Sequence, residues 1–139
     1  MSTTQKNLLE DTYKEKIYTA SHCLKAVDSF YASLKTVTQS KSKSLERQMI
    51  IQIRRLVRGE RMSSDTFAPE GNLPSGSSHS KFYALKRLPI RGYCWQSTIR
   101  RNTYFISHYI SKDFRKLKEQ DITKVHNNWY RIEVNGDER

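Results

Sequence analysis

The chain has 139 residues, room for one domain, and carries 25 Lys and Arg against 14 Asp and Glu, a formal charge of +11. With 36% hydrophobic and 11% aromatic residues in short runs, the composition excludes both a wholly disordered chain and a transmembrane helix. Met1 to Glu10 is polar and lacks a secretory apolar stretch. Cys23 and Cys94 are too few for a disulfide framework and form no C-x-x-C zinc pair, so a reducing, cytoplasmic compartment is expected.

In chain order, residues 16–21 (KIYTAS) read as a short strand, with Ser21 placed to cap a following helix. Leu24, Val27, Phe30, Tyr31 and Leu34 recur at helical spacing over 22–35. The polar stretch 39–44 separates this from a second helix over 44–58, where Leu45, Met49, Ile50, Ile53, Leu56 and Val57 form the apolar stripe. Gly59 is its stop signal. Two helices joined by a short polar turn predict a helical hairpin. Residues 62–80 hold two prolines, two glycines and six serines, and predict a long flexible loop.

Three β-prone runs follow at 81–88, 93–100 and 103–110, joined by turns at Pro89 to Gly92 and at Asn102. Short turns predict an antiparallel meander. Period-two geometry sets Lys86 with Phe82 and Ala84, and Arg87 with Tyr83 and Leu85. Leu117, Ile122, Val125, Trp129 and Ile132 describe a core-facing helix over 113–133, with Asp113 as its cap and Asn135-Gly136 as its end. The expected fold is α+β and a single domain over 1–139. A small antiparallel sheet packs against an N-terminal helical hairpin and a C-terminal helix.

Charge concentrates in two places. Residues 81–118 hold ten Lys or Arg and one acid, Asp113; residues 41–61 hold seven against two. Solvated faces explain many such runs. Here the richest one coincides with aromatic strand sequence, where counterion release from a phosphate backbone rewards clustering.

The segment KFYALKRLPIRGYCWQSTIRRNTYFISHYISKDFRKL resembles the core of the RelE/ParE superfamily of bacterial type II toxins, in its Leu-Lys, Gly-Tyr, Arg and Ile-x-Lys order. ASHCLKAVDSFYASL resembles the first helix of that fold, so the likeness covers 16–118. It implies a toxin (RelE- or HigB-like) that cleaves mRNA, at the ribosome or free, and is opposed by a cognate antitoxin protein. A ParE-like branch of the superfamily instead poisons DNA gyrase without catalysis. A basic nucleic-acid-binding module without catalysis is a third reading. The loop at 62–80 and the substantial final helix depart from compact members.

Cleavage of this kind requires no metal and no cofactor. The 2′-OH attacks its neighbouring phosphate, so the site must take that proton, neutralise the phosphorane and protonate the leaving 5′-oxygen. Arg100 or Arg101 is expected to hold the phosphorane, His108 to move the proton and Lys112 to add a second cation. Lys86, Arg87, Arg91, Tyr109, Arg115 and Lys116 are expected to bind nucleic acid, Tyr109 by stacking a base. Strand alternation also puts His108 with Tyr104, Ile106 and Ile110, which fits a hydrogen-bonded core histidine equally well. Tyr109 fits core packing, and Arg100 and Arg101 cannot both face one way. Asp113 is the only acid in 81–118, so two-metal nuclease chemistry is disfavoured. No P-loop, G-x-S-x-G or H-E-x-x-H occurs.

Overall fold

The computed structural model describes residues 7–74, 80–111 and 117–139. Its strands are β1 (Thr12–Lys14), β2 (Thr19–His22), β3 (Phe67–Asn72), β4 (Lys81–Arg87), β5 (Ile90–Gln96) and β6 (Thr103–Ser111). Its helices are α1 (Ala26–Leu34), α2 (Gln39–Val57) and α3 (Glu119–Trp129), the last continuing as a π-helical turn over Tyr130–Val134. The strands form one six-stranded sheet in the order β1-β2-β6-β5-β4-β3.

Two features correct the expected architecture. The sheet is mixed, because β2 pairs with β6 in parallel while every other neighbour is antiparallel. The cause is connectivity. The chain leaves β2 through α1 and α2, crosses to the far edge, and returns through the meander so that β6 arrives beside β2 in the same direction. The helices also do not pack as an N-terminal hairpin. α1 lies on β6 and β5, whereas the long central α2 lies on β4 and the β1–β2 edge.

Local differences have physical reasons too. Residues 39–44, expected as a separator, form the first turns of α2; largely exposed there, they carry no apolar stripe to reveal the helix. The helix does end as expected, with Gly59 at φ 74° accepting the left-handed conformation. α1 starts after Lys25, itself left-handed at φ 68°, and not from a Ser21 cap. The chain over 97–102 is a turn, so β5 is shorter at its end than the 93–100 run suggested.

Strand β3 lies inside the expected loop. It pairs antiparallel with β4, and its Phe67 stacks on Tyr83 with ring centroids 4.8 Å apart. Pro69 is tolerated because β3 is an edge strand, and the register shifts between Pro69 and Gly71. Gly71 is required: a Cβ there would sit 2.6 Å from the Phe82 ring, which is fully buried. Gly71→Ala is expected to destabilise the fold by about 1–3 kcal/mol through overpacking. Urea denaturation checks this, and an unchanged midpoint would show that β3 is not held against Phe82.

The sheet is covered on both faces. Alternation along β5 sends Ile90 and Cys94 toward Phe30, Met49 and Ile53 of α1 and α2, and sends Tyr93 and Trp95 toward Val125 and Trp129 of α3. No helix among the described residues is long and apolar enough to cross a membrane.

Candidate active site

A β-bulge decides where His108 points. Tyr93 of β5 pairs with His108, but the next residue, Cys94, pairs with Ile106. The extra residue, Ser107, reverses the alternation of β6 beyond it. His108 therefore leaves the side of Ile106 and turns toward α3, a reversal that simple period-two reading misses. It is 2% exposed.

Both of its ring nitrogens are occupied. Nδ1 lies 2.8 Å from the Ser107 hydroxyl, and Nε2 lies 3.0 Å from Asp121 Oδ1 on α3. The carboxylate oxygen accepts, so Nε2 donates and Nδ1 accepts from Ser107. Asn128 Nδ2 donates to Ser107 Oγ at 2.9 Å and completes the chain. Burial lowers the His108 pKa despite the opposing pull of Asp121. The ring is consequently neutral near pH 7, the form that can take a proton.

On the same face, past Tyr93, lies a corner of opposed charges. Lys86 and Arg91 pair across β4 and β5 and point to the α3 side of the sheet, as Tyr93 does. Glu70, at the bulge of β3, places Oε1 3.2 Å from Arg91 Nη1 and 3.8 Å from Lys86 Nζ. Arg91 is 7% exposed, and its Nε has no hydrogen-bond partner among the described residues. The Tyr93 hydroxyl, wholly buried, has none either. Burial, then Asp121 and Glu70, raise the Tyr93 pKa while Arg91 opposes them, so the phenol remains a donor. The tilted Tyr93 and His108 rings are 5.4 Å apart. Two cations, an unengaged phenol and a neutral histidine thus share one end of one sheet face.

The other expected site residues lie elsewhere. Arg100 donates from Nη1 and Nη2 to the Glu138 and Asp137 carbonyls, both at 2.8 Å, and covers the Phe105 ring. It anchors the C-terminal tail. Arg101 is exposed in the turn before β6, roughly 20 Å along the strand from His108 at ordinary strand rise. Neither arginine converges with the histidine. Arg87 faces the other side, where its Nε donates to Gln48 Oε1 of α2. Tyr109 is no stacking platform: it is buried against Phe30 and donates its hydroxyl to His22 Nε2 at 2.7 Å. Lys112, Arg115, Lys116, Asp113 and His79 lie outside the described residues. Among the described residues no group of three His, Cys, Asp or Glu could hold a metal ion.

Sequence reasoning missed Glu70, Tyr93, Ser107 and Asp121. Asp121 carried a signal, since it falls between Leu117, Val125 and Trp129 at steps of four and so on the buried stripe. Glu70 carried none, being placed by a strand formed from loop-like residues. No family model, no curated protein and no solved structure matches the chain.

Proposed function

We propose that the chain is the toxin component of a type II toxin–antitoxin pair, a metal-independent endoribonuclease acting on mRNA at the ribosome. The observation that carries this reading is one sheet face on which Tyr93 stands between the Lys86–Arg91 pair and a neutral histidine, His108, backed by Asp121. In the reaction, the 2′-oxygen bonds to phosphorus, the bond from phosphorus to the 5′-oxygen breaks, and a 2′,3′-cyclic phosphate and a 5′-hydroxyl result. Lys86 and Arg91 neutralise the charge gathered on the phosphorane. The His108–Asp121 pair takes up the proton released by the 2′-hydroxyl, the Tyr93 phenol donates a hydrogen bond to phosphate oxygen, and water protonates the leaving 5′-oxygen. The net charge of +11 draws the chain to RNA, and an acidic segment of the antitoxin would compete for the same cations.

The deep burial of His108, with both nitrogens bonded, favours a second reading: RNA binding without cleavage. Induced expression in a bacterium, followed by mapping of mRNA 5′-ends, separates the two. New ends within translated messages are expected. Intact messages with RNA bound would establish the second reading, and intact messages with DNA damage would indicate a gyrase target.

A further inference from the structure

Glu70 has the wrong sign for an RNA site, and its geometry gives the reason for its presence. We propose that Lys86, Arg91 and Tyr93 form a pocket for one RNA phosphate, which the chain holds closed with its own Glu70 carboxylate. This rests on the reading above that RNA meets this corner.

Three observations carry it. First, a single oxygen of Glu70 meets both cations, at 3.2 Å from Arg91 Nη1 and 3.8 Å from Lys86 Nζ. Second, Arg91 is left half engaged. A guanidinium presents its N–H groups as a planar fork that two anionic oxygens fill together. Glu70 bonds Nη1 only, and the buried Nε has no partner among the described residues. Third, the Tyr93 hydroxyl is buried without a partner and lies within the field of both Glu70 and Arg91. Unmatched buried donors are rare in a finished core. A phosphodiester supplies what the carboxylate does not. Its two non-bridging oxygens fill the Nε–Nη2 edge of Arg91, which Glu70 leaves empty, while Lys86 and Tyr93 meet the remaining lone pairs.

The strand that carries Glu70 is paired on one side only. β3 is the sheet edge, and no residue of it is buried. Pro69 and Gly71 flank Glu70 at a register shift, so the ladder is already interrupted there. Withdrawing β3 leaves β4 paired with β5 and the rest of the sheet intact.

The test titrates a fluorescent, single-stranded 2′-O-methyl RNA, which cannot be cleaved, into the full chain. Glu70→Gln is expected to bind about tenfold tighter than wild type, with a salt slope about one steeper, as for one added phosphate contact. Adding Lys86→Ala to Glu70→Gln should cancel the gain. Glu60→Gln removes the same charge beside Arg55 and Arg58 of α2 and its C-terminal cap, and should change little. If wild type and Glu70→Gln bind equally, the closure is overturned and the RNA reading stands. If Glu60→Gln gains as much, net charge is the cause and the closure is again overturned. If neither wild type nor Glu70→Gln binds, both ideas fall together. Should Glu70→Gln fail to fold, the wild type decides. Inorganic phosphate should displace the Arg91 Nε–H resonance in ¹⁵N NMR, and an unmoved resonance at saturating phosphate overturns the proposal.

Discussion

On the proposed endoribonuclease reading, an Arg91→Gln chain should cleave RNA on the order of 10²–10³-fold more slowly than wild type, the loss expected when a fixed charge is taken from a phosphorane. Arg91 is the most deeply placed cation of the corner, at 7% exposed, where low local polarity strengthens its field. Lys86 is the more accessible of the two, so it partly replaces Arg91 but lacks the planar fork. Gln keeps a polar amide on a shorter apolar stem, and Glu70 keeps Lys86 as a counter-ion, so the fold should survive. Circular dichroism and the urea midpoint check that point independently of activity. Arg100→Gln is the matched comparison. It removes an arginine that holds the Asp137 and Glu138 carbonyls, and should loosen the C-terminal tail while leaving cleavage within about twofold, since screened charges at that distance contribute little. Wild-type cleavage by Arg91→Gln, or a large loss with Arg100→Gln, would move the active site to the opposite end of β6.

The contrast between those arginines shows how far the sequence could be read. Periodicity placed Lys86 on one face of β4 and Arg87 on the other, and the structure separates them in that way because β4 is an uninterrupted strand. The same rule fails on β6, where the Ser107 bulge adds a residue that no local propensity announces. Every residue beyond the bulge changes face. His108 thereby gains Asp121 as a partner, and Tyr109 goes into the core against Phe30. Arg100 and Arg101 precede the strand, and adjacency in sequence to a basic stretch said nothing about which strand end they occupy. The parallel pairing of β2 and β6 was equally illegible, because it depends on where the helical crossover returns, a long-range property. β3 formed from Pro-, Gly- and Glu-bearing sequence because Phe67 found Tyr83 to stack on, a tertiary contact that overrides weak strand propensity.

Acid should begin to weaken this protein before its carboxylates titrate, and His22 is one cause. It is 1% exposed on β2, and burial lowers its pKa from 6.5 to about 4, against the pull of the Asp11 and Glu10 carbonyls. The neutral ring is held from both sides. Nδ1 lies 3.2 Å from the Asp11 carbonyl, to which it donates, and Nε2 accepts from the Tyr109 hydroxyl at 2.7 Å. Protonation would put a second donor on Nε2 against that hydroxyl and a charge in the core. The sign follows from linkage. Between pH 6.5 and about 4 the unfolded chain binds this proton and the folded chain does not, so stability falls as pH falls. The full window corresponds to about 3 kcal/mol at 1.36 kcal/mol per pH unit. His108, also lowered by burial, adds to the loss in the same direction. His22→Gln offers an amide oxygen to Tyr109 and an N–H to Asp11 without titrating. Urea unfolding of both chains at pH 7, 6, 5 and 4.5 isolates the His22 part as their difference. The variant should start less stable at pH 7 and lose less on acidification, the two curves converging. Parallel curves would mean that His22 keeps the same proton in folded and unfolded chains, and that its pairing with Tyr109 does not hold it neutral.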